Sequence, residues 1–336
     1  MHKKNVAIAA AGIGLFTFVA AKMGWSAMLY ELKAVWIALP ILAGLSCLRL
    51  WLQTMSWSAA LAANGIHAGV GELMGARASS HGMGYLSVFG PLVSEPMRIG
   101  LLAGRGAAAA PTLIDSGVAW FSSGIFTIVG CLCAAGCMGA QPHTKSLIGL
   151  ALTTVAGMVL IARSKPMLPA LARKLGARAP AWLRHGQEVE VAMHDFKREH
   201  PGTVRKMFWL GMVCQVLVAA EVVAVFWFLK MPIHVGTILA LEAANRVVKA
   251  MGGWVPARIG TDESGMAAAF LAFGLPSASG LALALARRSR DLMEVVVGFA
   301  WLARRSRTLA ANGHTARARD VARPGDPAIQ GNRLLD

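Results

Sequence analysis

From Met207 to Leu229 the chain reads MFWLGMVCQVLVAAEVVAVFWFL, with Glu221 as its only charge. A helix over that stretch is about 34 Å long, enough to cross the ~30 Å hydrocarbon core of a bilayer. Five further runs read as spans of the same kind: Asn5–Ala21, Ala34–Leu52, Ser116–Met138, Ser146–Ala162 and Ser277–Ala303. The rest of the chain agrees, being 56% hydrophobic and only 15% charged. A soluble domain of this length needs more charge to cover its surface. The first run follows MHKK and reads as a retained helix; Ala20 and Ala21 leave signal cleavage as the alternative.

Two regions do not fit simple spans, Ser56–Ala103 and Ile233–Gly274. Each places prolines, glycines and charges together inside apolar sequence: FGPLVSEPMRIG at Phe89–Gly100 and GGWVPARIGTDESG at Gly252–Gly265. Non-helical backbone at membrane depth is tolerated only where protein or water satisfies its polar groups.

Charge orients the chain. The net charge is +16, and it is concentrated. Arg163–Lys206 holds ten Lys/Arg against four Asp/Glu, and the tail from Arg304 holds seven Arg against three Asp. Such clusters between apolar segments mark the cytoplasmic side. Neither is interleaved with aromatics as a nucleic-acid groove requires, so no nucleic-acid partner is expected. With Lys3, Lys4, the basic loop and the tail all inside, each broken region must return to the side it started from. The sequence therefore predicts an all-α, polytopic membrane protein with six full spans plus two re-entrant helical hairpins in two inverted repeats. Repeat one covers about 34–162 and repeat two about 207–303. The basic loop 163–206 joins them, within a membrane domain of residues 1–305 followed by a disordered tail, 306–336. Glu95 precedes Gly130 by 35 residues, and Glu263 precedes Gly298 by the same 35, which agrees with a repeat.

Paired broken segments in opposed repeats mark a substrate site near the midplane. Pro91, Pro256 and Gly260 are the predicted re-entrant turns. Glu242, Arg246 and Lys249 lie four and three residues apart and share one helix face. Arg287, Arg288, Arg290, Asp291 and Glu294 interrupt the last span, and such charges are costly in lipid, so they are expected to line a wet cavity. Arg98, Arg246, Lys249 and Arg288 are the candidates to bind an anionic head group, since arginine pairs bidentately with phosphate. Glu95, Glu221, Asp262 and Glu263 would balance that charge or carry protons; for each glutamate, Glu221 above all, a purely structural pairing with an arginine is the alternative.

Catalytic chemistry is not legible. The cysteines Cys47, Cys131, Cys133, Cys137 and Cys214 lack metal spacing and read as small packing residues. His67 and His81 read as structural, and no Ser-His-Asp or HExxH arrangement is present. No metal and no cofactor are expected.

At the broken segments the chain resembles a known family. SEPMRIGLL resembles the GE-x-x-R-x-x-x-L element of the lysylphosphatidylglycerol synthase transmembrane-region family, the flippase-like domain. VPARIGTDESG resembles its VPG-x-x-G-x-x-E-x-G element. LALEAANRVVKAMGGWVP and AFGLPSASGLALALARRSRDLMEVVVG look closest to the hopanoid-associated bacterial branch. The likeness runs from about residue 5 to 305. It implies an inner-membrane protein, with both termini cytoplasmic by the charge count, that moves or handles lipids such as aminoacylated phospholipids, polyprenyl-linked sugars or hopanoid-type lipids. By position the motifs fall on Glu95, Arg98, Pro256, Gly260, Glu263 and Arg288. Ser94, Ala257 and Asp262 depart from the family pattern, and Ala119-Trp120 stand where the family often has Glu-Arg. The last thirty or so residues are short and polar, so no aminoacyl-transfer domain is expected. Expected partners are membrane lipids and lipid-biosynthesis enzymes. The alternatives to transport are an integral-membrane enzyme acting on a lipid head group, or a non-transporting subunit of a lipid-synthesis complex.

Overall fold

The computed structural model describes residues 25–87, 90–102, 108–138, 142–163 and 181–321. Within them the fold is all-α. The helices are α1 (Trp25–Ala63), α2 (Val70–Leu86), α3 (Gly90–Leu101), α4 (Ala109–Met138), α5 (Pro142–Arg163), α6 (Ala181–Glu199), α7 (Pro201–Phe228), α8 (Val235–Met251), α9 (Thr261–Ala272) and α10 (Ser277–Val321). Two 3-10 turns, Gly252–Trp254 and Pro256–Arg258, join α8 to α9.

Three of the described helices are long and apolar enough to cross a membrane: Ile37–Ala63, Ala109–Gly136 and Pro201–Phe228. This corrects the expectation of six full spans plus two re-entrant hairpins in two inverted repeats. The Asn5–Ala21 run lies outside the described residues, as do 164–180 of the basic loop and 322–336 of the tail. Ser146–Ala162 falls on α5 and Ser277–Ala303 on α10, but neither is among the three. On α10 the charges from Arg287 to Glu294 break the apolar run. α10 itself continues to Val321, past the expected start of the tail.

The broken regions resolve into short helices. Ser56–Ala103 becomes the end of α1, then α2 of 17 residues and α3 of 12. Ile233–Gly274 becomes α8 of 17 residues and α9 of 12. The apparent end of a span at Leu52 is misleading because the polar residues beyond it are satisfied within the protein. Thr54 Oγ1 donates to the Leu50 carbonyl at 2.7 Å, Ser56 Oγ to Asp115 at 2.8 Å, and Trp57 Nε1 to Thr112 at 3.0 Å. A helix can carry such groups wherever another helix pairs them.

The core sits between α1, α7, α8, α9 and α10. Leu42, Val222, Phe226, Leu241, Met266, Phe270 and Leu283 are fully buried there. Phe226 and Phe270 meet edge to face with centroids 5.8 Å apart, a favoured aromatic geometry. Two glycines allow close helix crossings. A Cβ on Gly130 of α4 would lie 2.4 Å from the Leu239 carbonyl of α8, and one on Gly298 of α10 would lie 2.5 Å from the Ala78 backbone of α2. Small residues at such contacts let membrane helices pack by van der Waals contact where no hydrophobic drive exists. Large apolar side chains point outward from the candidate spans, among them Ile37 (65% exposed), Trp209 (62%) and Trp227 (72%).

Candidate functional site

The charges on α10 do not line a wet cavity as a group; most are buried in ion pairs with α7, α8 and α9. Arg287 pairs with Glu242 and lies 3.6 Å from Glu221. Arg290 pairs with Glu221 and, at 2.6 Å, with its neighbour Asp291. Glu221 and Glu242 are each 1% exposed. Arg288 pairs with Glu263 at 2.5 Å and donates to the Ala257 carbonyl at 3.0 Å. Glu294 turns the other way, to Arg49 at 3.1 Å and His81 at 3.3 Å.

The second motif is built around a sharp turn. Pro256 opens a 3-10 turn whose backbone passes through the left-handed region at Ala257 (φ 52°), Arg258 (φ 49°) and Gly260 (φ 81°). Glycine suits that region, whereas Ala257 and Arg258 hold it at a cost in strain. Glu263, at the third position of α9, accepts the Gly260 N–H at 2.9 Å and so caps the helix start. Asp262 pairs with Arg258 at 3.0 Å.

The first motif has a different partner from the one expected. Arg98 donates to Asp115 at 2.8 Å and lies 3.4 Å from Glu95, with its guanidinium 4.4 Å from the Trp57 ring centroid. Asp115 also receives Arg77 at 2.9 Å and the Ser56 hydroxyl. Sequence reasoning missed Asp115, Arg77 and Ser56. The signal was there for Asp115, a single carboxylate in an apolar helix, like Glu221. Pro91 occupies the first turn of α3, where a missing N–H leaves no helical bond unmade; its side chain lies outside the described residues.

Arg246 and Lys249 of α8 are treated differently. Arg246 donates to the Ser123 carbonyl at 3.2 Å, to the Ser123 hydroxyl, and to the Gln215 amide oxygen at 2.7 Å. None of these carries charge. Lys249 has no ion pair or hydrogen bond among the described residues, and both side chains are half-buried.

Three cavities meet around these groups. A polar one of about 220 Å³ has Arg49, Gln53, Gln215, Glu242, Arg246 and Lys249 in its wall, with the Glu242 carboxylate paired to Arg287. A second polar one of about 250 Å³ includes Arg49, Gln53, Arg77, Glu95, Arg98 and Glu294. Arg49 and Gln53 stand between the two. The third is a groove of about 1020 Å³, largely apolar, along α3, α4 and α5, with Leu92, Ile99, Trp120, Phe121 and Met158 in its lining. It reaches the first polar cavity at Ser123 and Arg246, and the second at Glu95, Ser116 and Trp120. Of the four cations expected to bind a head group, Arg246 and Lys249 share one polar cavity, Arg98 lines the other, and Arg288 lines neither.

A polar, cationic chamber opening on an apolar groove has the shape of a site for an amphiphile. The sequence profile of the lysylphosphatidylglycerol synthase TM region matches residues 5–298. The chain belongs to that family. It is therefore a flippase-like, membrane-embedded, lipid-handling protein, with several passes through the membrane. No curated protein and no solved structure matches the chain.

Proposed function

We propose that this flippase-like protein moves a lipid with an anionic head group between leaflets. The head group sits against Arg246 and Lys249, and an acyl or isoprenoid chain lies in the groove along α3, α4 and α5. The single observation that carries this reading is the juxtaposition. Two cations that form no ion pair of their own face a polar cavity, where the one carboxylate in the wall, Glu242, is taken by Arg287, and one of them, Arg246, also lines a large apolar groove. Charge inside an apolar protein is costly unless paired, so an anionic ligand completes the site. Arg98, with Arg49, lines the neighbouring polar cavity and is suited to contact the head group on its way in or out. Arg288 and Glu263 serve to hold the turn before α9. Glu95, only partly buried beside the groove, is the carboxylate best placed to exchange a proton with the transport path.

The positively charged stretch 163–206 and the tail lie on the cytoplasmic side of the inner membrane in this reading, following the positive-inside rule. Polyprenyl lipids offer a long apolar chain, and hopanoid-type lipids a rigid apolar ring system, either of which suits the groove.

The test is lipid sidedness in reconstituted vesicles with an Arg246→Gln/Lys249→Gln double variant. Loss of flipping with normal folding is expected. Undiminished flipping by the folded double variant removes these residues from the mechanism. Recovery of a chemically altered lipid would instead favour an enzyme. Cysteine substitutions at Ser164 and Ala310 should resist labelling from the periplasmic side.

A further inference from the structure

Arginines in the described interior are matched to carboxylates with one exception. Arg77 and Arg98 meet Asp115, Arg290 meets Glu221, Arg287 meets Glu242 and Arg288 meets Glu263. Arg246 alone is held by neutral acceptors, Ser123 of α4 and Gln215 of α7, with its guanidinium 5.3 Å from the Phe126 ring centroid. Its Nε is buried and has no hydrogen-bond partner. A glutamine differs from a glutamate by one amide group and almost nothing in shape. It fixes a guanidinium through the same oxygen but leaves the positive charge standing.

We infer that Gln215 is the specificity-determining residue of the lipid site: it positions Arg246 without neutralising it, and so selects head groups with net negative charge. This rests on the lipid-binding reading above. With glutamine at 215, Arg246 and Lys249 lie one turn apart in a chamber of about 220 Å³ whose one carboxylate, Glu242, is paired with Arg287, and together they demand an anion. Gln53 and Asn245 in the same wall supply neutral hydrogen-bonding groups for the rest of the head group. With glutamate at 215, the 2.7 Å contact to Arg246 becomes an ion pair like those on α10, and half of that demand disappears.

The experiment uses the full chain in mild detergent and native mass spectrometry with two probes, phosphatidylglycerol and phosphatidylcholine of identical acyl chains. The wild-type protein should retain phosphatidylglycerol about tenfold over phosphatidylcholine. Gln215→Glu should reduce that ratio to about one, whereas Gln215→Leu should keep the preference with weaker overall binding. Ser123→Asp places a carboxylate on the other side of the same guanidinium. It should act like Gln215→Glu, so it decides the matter if that variant does not fold. A folded Gln215→Glu protein that keeps the wild-type ratio overturns the role of Gln215. Equal loss of preference in Gln215→Leu does the same, because shape rather than charge would then matter. If the Arg246→Gln/Lys249→Gln protein also keeps the ratio, the lipid site itself is misplaced, which is a separate failure.

Discussion

On α10, Arg287, Arg288 and Arg290 each end on a carboxylate, and Arg287 and Arg290 are 5% and 3% exposed. On α8, Arg246 ends on a serine and a glutamine, and Lys249 forms no hydrogen bond or ion pair among the described residues. Both helices carry cations into apolar sequence, and by local composition they look alike. The difference lies in what faces them. α10 faces Glu221, Glu242 and Glu263 from three neighbouring helices, so its charges are closed within the protein and serve to fix the packing of α7, α8, α9 and α10. α8 sets Arg246 and Lys249 in the wall of a cavity beside Glu242, whose carboxylate is already taken by Arg287. A buried pair is strong evidence of structural linkage and weak evidence of ligand binding. An uncompensated cation beside a cavity is the reverse.

The largest expected effect tests the closed network. Glu221→Ala leaves Arg290 with one carboxylate and Arg287 with one, both buried. Removing one partner of a buried charge cluster costs about 3–5 kcal/mol. The variant should accumulate poorly and unfold at a markedly lower temperature in detergent. Wild-type melting would show that the α10 network is not structural, and the contrast with α8 would collapse.

Asp115→Asn is the next in size. It removes the charge shared by Arg77 and Arg98 but keeps hydrogen-bonding capacity, so a loss of about 2–3 kcal/mol is expected. A thermal melt compared with that of Glu221→Ala ranks the two clusters. If Asp115→Asn proves the milder in stability yet stops flipping, the Arg98 side of the molecule belongs with the transport path.

Ala257→Gly should go the other way. A left-handed residue is accommodated better by glycine, so relief of strain at φ 52° should stabilise the turn by up to about 1 kcal/mol. A lower melting temperature would mean that the strained turn is not the resting conformation of the segment.

Lys249→Gln should barely change stability, by about 0.5 kcal/mol or less, because it breaks no described hydrogen bond or ion pair and removes only a longer-range attraction to Asp291, which keeps Arg290. Its effect should appear in lipid retention instead. A strong destabilisation would show that Lys249 has a structural partner, and would erase the difference between α8 and α10.

Much of the class was legible. The MFWLGMVCQVLVAAEVVAVFWFL run, the all-α character and both motifs come directly from residue order. The span count did not survive, and α1 shows why. Hydropathy ends that helix at Leu52, but Ser56 and Trp57 find partners on α4, so the helix runs on to Ala63. The α10 segment failed in the opposite sense: its length promised a span, and its charges are spent on ion pairs. In the site, the face shared by Glu242, Arg246 and Lys249 was readable from spacing. That Glu242 turns to Arg287 while Arg246 turns to Gln215 was not.

The sequence by itself determined that the chain belongs in a membrane, that it is helical, and which residues carry charge into apolar surroundings. Those properties follow from composition and from patterns within a single helix, where neighbours are three or four residues apart. Only the tertiary structure decided which charges are closed and which stand open. Glu221 meets Arg290, Asp115 meets Arg77 from 38 residues away, and Arg246 meets Ser123 from 123 residues away. The energy of a buried charge depends on what lies within about 4 Å of it, and in this protein that is set by helix packing between distant parts of the chain.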